Sequence, residues 1–140
     1  MIQKDEYLFV YGTLRSEFAT PMYQFLVRHA DFFDHGYFQG RLYEIDGYPG
    51  LVPSENTGEL VYGEVYLLKN SEKIFKLIDN YEGLNPRWPE PHEYKRKQVE
   101  VSLIRYKKIM AWIYIYDLPV IDLYRIESGD YAIYINSKND

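Results

Sequence analysis

One hundred and forty residues, 46% hydrophobic and 26% charged, suit a single folded domain over residues 1–140 and exclude a disordered chain. Sixteen basic against twenty-one acidic side chains leave a formal net charge of −5. That is the wrong sign for a nucleic-acid surface, so no nucleic-acid partner is expected. There are no cysteines, which removes disulfides, thiolate metal sites and cysteine nucleophiles and makes a cytoplasmic location the default. No apolar run approaches a membrane span, and the first six residues lack the features of a secretory signal, so no membrane association is expected either.

In chain order, Tyr7-Leu8-Phe9-Val10-Tyr11 is an apolar run that predicts a first strand over about Glu6–Tyr11. It stops at Gly12-Thr13, where glycine permits a positive φ and leaves no Cβ above the backbone. Successive amides in such a turn can converge on an anion; a tight turn after a buried strand is the simpler reading of the stretch alone. Thr20-Pro21 predicts a helix cap followed by proline at the first helical position, with Met22, Phe25, Leu26 and His29 on the buried side. Phe32 to Ile45 predicts strands, interrupted at Gly36 and Gly40 by a bend or bulge. Asp46-Gly47-Tyr48-Pro49-Gly50 predicts a turn, and Leu51-Val52-Pro53 a short edge segment. Leu60 to Leu68 predicts a strand, and Asn70-Ser71 the start of a helix. Leu84 to His92, with three prolines, predicts a loop. Tyr94–Ile104 and Met110–Tyr116 predict a hairpin. The tail, broken by Ser128-Gly129-Asp130, predicts a short helical turn. About six strands and two or three short helices in mixed order indicate an α+β fold.

The helix over Ser71–Glu82 carries an unusual carboxylate. At about 100° per residue from Ile74, the residues Phe75, Ile78, Leu77 and Tyr81 form one apolar arc, and Asp79 falls opposite with the other polar residues. Glu82 lands near 80°, inside the apolar arc. Burial and the negative end of a helix stopping at Gly83 would both raise its pKa toward the range of a general base. Periodicity leaves a second and simpler reading, a last-turn side chain that swings to water or pairs with a base.

Other candidates carry less. His29, His35 and His92 have no metal-ligand spacing, so no metal site is expected. Ser128-Gly129-Asp130 reads as a turn. Arg15 could attract an acidic substrate, with a structural ion pair at least as good a reading. Tyr114 and Tyr116 share a strand face as pocket lining or as core. Lys95-Arg96-Lys97 reads as a solvated strand edge.

Tyr11-Gly12-Thr13-Leu14-Arg15, Tyr48-Pro49-Gly50, Gly63-Glu64-Val65-Tyr66 and Leu77-Ile78-Asp79-Asn80-Tyr81-Glu82-Gly83 together resemble the γ-glutamylcyclotransferase-like family, in order and spacing. The chain is most similar to its small members related to γ-glutamylamine cyclotransferase. Tyr94-x-Arg96-x-x-Val99-x-Val101, Ala111-Trp112-Ile113-Tyr114 and Ser128-Gly129-Asp130-Tyr131 extend the resemblance over nearly the whole length. It departs at Tyr131, where tryptophan is common, and in the Leu84–His92 loop. The resemblance implies a small mixed β-barrel flanked by short helices, with a cavity between the loop after the first strand and the end of the glutamate helix. It implies that Tyr11, Gly12, Thr13 and Leu14 grip the γ-glutamyl part of a small-molecule substrate. It further implies that Tyr48, Pro49 and Gly50 form a pocket-wall turn, and that Glu82 accepts the proton, with no cofactor. The product would be 5-oxoproline, by attack of the substrate's own α-amine on its γ-carbonyl. A monomer or weak homodimer is expected. A non-catalytic small-molecule binding protein on the same scaffold stays open, as does an interaction module for single-stranded nucleic acid, which the negative charge disfavours.

Overall fold

The computed structural model describes residues 5–81 and 93–138. Seven strands form there: β1 (Glu6–Val10), β2 (Ala30–Glu44), β3 (Pro49–Pro53), β4 (Leu60–Leu68), β5 (Tyr94–Leu103), β6 (Lys108–Tyr116) and β7 (Tyr124–Ile126). Three α-helices join them: α1 (Pro21–His29), α2 (Ser71–Tyr81) and α3 (Tyr131–Lys138). A 3-10 turn spans Ser16–Phe18. No helix among the described residues is long and apolar enough to cross a membrane.

Five strands close a barrel in the order β2-β4-β1-β6-β5, with β5 returning to β2. β1 pairs antiparallel with β4 from Glu6↔Leu68 to Val10↔Glu64, and parallel with β6 at Leu8↔Trp112. The closing contact is short, Gly36↔Leu103 and Tyr37↔Ser102. Outside the barrel, the second half of β2 carries β3 on one side and β7 on the other. The fold is therefore the expected α+β barrel, with five strands closed and two more attached.

Alternation along the strands divides the apolar side chains into two cores. Phe9, Leu42, Val61, Val65, Val101, Ala111 and Ile113 come from all five barrel strands and pack together. Leu8, Val10, Tyr66, Tyr114 and Tyr116 belong to the other set, which meets Leu26 of α1 and Ile74, Phe75 and Ile78 of α2. α1 and α2 thus cover one outer flank of the barrel, while α3 packs on the other core through Tyr131.

β2 corrects the sequence reading. It is one strand of fifteen residues, and its register shift lies between Phe32 and Asp34, not at a glycine. Gly36 and Gly40 instead admit a neighbouring backbone: a Cβ on either would come within 2.8 Å of Ser102 O or 2.7 Å of Val52 O. The turn expected at 46–50 is shorter than predicted. Gly47, at φ +82°, makes it, and Pro49 and Gly50 already belong to β3. The first helix starts as expected, with Thr20 Oγ1 accepting from the Tyr23 amide.

Candidate active site

The loop that follows β1 runs from Tyr11 to Arg15 and is held from three sides. Its two ends are anchored by buried side chains, Tyr11 and Leu14, each 6% exposed, while Gly12 and Thr13 between them are half-buried. The Arg15 amide closes the turn on Gly12 O at 3.0 Å. Thr20, the α1 cap, donates its hydroxyl to Thr13 O at 3.0 Å. The amides of Gly12 and Leu14 find no acceptor among the described residues, which leaves two donors at a half-open bend where an anionic ligand atom would suit them.

Gly12 does not have a positive φ; among the described residues only Gly47 and Gly129 do among the glycines. Its requirement is space. A Cβ there would sit 2.7 Å from Pro49 Cγ, so the loop backbone lies directly on β3. Tyr11 and β3 are also tied by hydrogen bonds: the Tyr11 hydroxyl donates to Tyr114 O at 2.6 Å and accepts from the Leu51 amide at 3.3 Å. Pro49 O in turn accepts from the Tyr94 hydroxyl at 2.6 Å. Gly50 lies against Tyr116, whose Cβ would be 2.8 Å from an added methyl group. Two segments far apart in sequence, Tyr11–Leu14 and Pro49–Gly50, are thus brought together. Tyr48 packs against the outer core that holds Leu14. Its hydroxyl donates to both carboxylate oxygens of Glu93, at 2.8 and 2.9 Å, and burial, followed by this hydrogen bonding to Glu93, pushes the phenol pKa up.

Leu14 shares the outer core with Ile74 and Ile78, so the loop and α2 meet across one apolar layer. Glu82 and the Leu84–His92 loop lie outside the described residues. The helix that leads to Glu82 corrects the wheel in two places. Leu77, placed on the apolar arc, is 40% exposed. Asp79, placed opposite, is half-buried: its Oδ1 accepts from the Tyr114 hydroxyl at 2.6 Å and its Oδ2 lies 3.0 Å from Arg96. The buried residues Ile74, Phe75 and Ile78 centre the arc near 50°, which leaves Asp79, at about 140°, no farther from its middle than Leu77 at about 300°. Arg96 is likewise not a solvated edge residue. Its guanidinium lies 4.0 Å from the Phe75 ring centre and 5.2 Å from that of Trp112.

Arg15 settles as a structural residue. It is 5% exposed and pairs with Glu17 at 2.6 Å and Asp130 at 2.8 Å. Burial acts to lower its pKa, but the hydrogen bonds and charges of those two carboxylates outweigh it and the pKa rises. Asp130 also caps α3 through the Ala132 and Ile133 amides, so one ion pair joins the loop to the C-terminal helix. Beyond Arg15 the loop is pinned by Glu64, a residue that the sequence reading quoted without assigning it a role. Glu64 is 2% exposed, and its carboxylate accepts from the Ser16 amide at 2.7 Å and the Ser16 hydroxyl at 2.6 Å. The signal was available: it is the lone charged residue in the nine-residue strand LVYGEVYLL. Burial, then the Glu64 charge, drives the neighbouring Tyr66 phenol pKa up. His29 and His35 pack on Phe25 and Phe32, and no cluster of metal-ligating side chains occurs among the described residues.

A family model described as Gamma-glutamyl cyclotransferase, AIG2-like, matches residues 8–133. The chain belongs to this gamma-glutamylcyclotransferase family. A provisionally named gamma-glutamylcyclotransferase of Methanocaldococcus jannaschii is 35% identical over 136 residues, which cover 92% of this chain and 98% of the relative. The gamma-glutamylcyclotransferase family protein YtfP of Escherichia coli K12 is 33% identical over 124 residues, covering 89% and 94% of the two chains. The crystal structure of YkqA from Bacillus subtilis has the same fold, with a TM-score of 0.72 at 24% identity. The match covers 98% of this chain and 44% of YkqA, so this family member spans less than half the length of that protein.

Proposed function

We propose that this protein is a γ-glutamylcyclotransferase that converts the γ-glutamyl group of a γ-glutamyl amine or peptide into 5-oxoproline and releases the amine. The observation that carries the reading is the half-open Gly12–Leu14 bend, with two amides that find no acceptor among the described residues, set against β3 and α2 in a chain of this family. These amides would bind the substrate's α-carboxylate or the oxyanion that develops at the γ-carbonyl. Pre-folding the substrate brings its α-amine onto the γ-carbonyl carbon, and such intramolecular alignment is worth about 7–11 kcal/mol. The new bond is from the α-nitrogen to the γ-carbon; the bond that breaks is the amide bond to the departing amine. From α-ammonium to lactam N–H the α-nitrogen gives up two protons, and the departing nitrogen takes up two as it leaves as an ammonium. Glu82 accepts the first, which frees the amine to attack, and relays both in turn to the leaving nitrogen, so the reaction is proton-neutral and needs no enzymic nucleophile.

The test is incubation with a panel of γ-glutamyl amides and peptides, following 5-oxoproline. Turnover is expected for at least one member, and Glu82→Gln should lower kcat/KM by roughly 10²–10⁴-fold, the usual worth of general acid–base catalysis. Product formed by Glu82→Gln at the wild-type rate would remove the assigned base. Saturable binding without product would identify a binding protein on the same scaffold.

A further inference from the structure

Tyr114 engages two elements at once. Its carbonyl accepts from the hydroxyl of Tyr11, which opens the loop after β1. Its own hydroxyl donates to Asp79 in the last turns of α2. Both distances are 2.6 Å, and the second is a charge-assisted bond of the strong kind. Behind Asp79 stands Arg96 of β5, 3.0 Å away and packed over the Phe75 and Trp112 rings. The apolar contacts of Ile74 and Ile78 hold α2 on the barrel, but packing of that kind is non-directional and tolerates small rotations. A buried hydroxyl bonded to one carboxylate oxygen does not.

We infer that Tyr114 and Asp79, with Arg96 behind them, are positioning residues that fix the rotation and height of the last turn of α2 relative to the Tyr11–Leu14 loop. The inference rests on the proposed reaction, in which Glu82, the next residue after α2, must reach a substrate held by that loop. Misplacement of a reacting group by about 1 Å can cost roughly 10²-fold in rate, so a strut between the two halves of the site acts on turnover more than on substrate affinity. It also ties the loop to the helix through a single β6 residue.

The experiment compares wild type with Tyr114→Phe, Asp79→Asn and Asp79→Leu. Tyr114→Phe keeps the ring and removes the donor. Asp79→Asn keeps an acceptor for Tyr114, and Asp79→Leu keeps none. Tyr114→Phe is expected to lower kcat for 5-oxoproline release by roughly tenfold or more with KM within about threefold of wild type, and to lower Tm by only a few degrees. Asp79→Asn should lie between wild type and Asp79→Leu. Amide hydrogen exchange over residues 76–81 should accelerate in Tyr114→Phe, a change that involves no substrate. Wild-type kcat together with wild-type exchange in Tyr114→Phe overturns the inference, as does equal kcat for Asp79→Asn and Asp79→Leu. If wild-type protein releases no 5-oxoproline from any γ-glutamyl compound, the proposed reaction has failed. Exchange alone then decides the strut: faster exchange upholds it and unchanged exchange sinks it.

Discussion

At Gly12 the constraint is a neighbour's ring. A methyl group there would stand 2.7 Å from Pro49 Cγ, inside the ~3.5–4.0 Å at which carbon atoms attract. Gly12→Ala should therefore cost about 1–3 kcal/mol, the usual range for overpacking, and shift the loop enough to lower turnover. Removing the obstructing ring in Gly12→Ala/Pro49→Ala should recover part of that stability. A double-mutant cycle on thermal melts measures the coupling, and strict additivity of the two changes would refute the contact as its cause. Glu64 makes the opposite kind of demand, since it is needed for what it accepts. Glu64→Leu leaves the Ser16 amide without its acceptor and should destabilise by about 1–3 kcal/mol. Glu64→Gln should cost less, because the Ser16 hydroxyl can turn to accept from the new amide. Urea midpoints at constant m-value separate the two.

Between elements, side-chain length decides contacts that periodicity does not see. The sequence pattern placed the start of α2 at Ser71 and put Ile74, Phe75 and Ile78, which are buried, on its apolar arc with Leu77 and Tyr81. It missed Asp79 because the partner that draws it inward, Tyr114, is 35 positions away on β6, and a helical wheel contains no information about β6. The same limit hid the role of Gly36 and Gly40, which look like strand breakers until the strand crossing them is known. By contrast, Gly12-Thr13 was legible as a loop because a strand pattern ended there within the local sequence. Glu59 shows long-range joining in an ionisable form. It pairs with Arg41 of β2 and Arg125 of β7. Its hydrogen bond from Ser54, then that from Arg41, lowers its pKa below the ordinary 4.5. A depressed carboxylate pKa means that the unfolded state binds the proton more readily. Its contribution is therefore complete above pH 4.5 and is lost as the pH falls through the lower folded value. Thermal melts between neutral and acidic pH should fall less steeply for Glu59→Gln than for wild type in that window; parallel curves would remove Glu59 as a cause.

For the whole molecule, the barrel closes through a short seam, the two-residue contact that returns β5 to β2. The sequence supplied the strands but not this closure, because residues 36–37 and 102–103 are separated by nearly half of the chain and leave no local signature. Gly36→Ala directs a methyl group to within 2.8 Å of Ser102 O. It should lower Tm and raise amide exchange at Ser102 and Leu103 before it does so in β1 and β4. Uniform acceleration across all strands would show instead that the seam opens only with global unfolding.

The first strand, finally, is flanked by β4 on one side and β6 on the other, and the loop it launches is latched by Asp130. On the ribosome, β1 must wait for a partner translated a hundred codons later. A nascent chain cut short before residue 108 would carry β1 with one bare margin and a loop without its Asp130 latch. Such a distant pairing slows assembly, so the bend after β1 should reach its final shape only once β6 and Asp130 have emerged, and the growing polypeptide is exposed to misassembly until then.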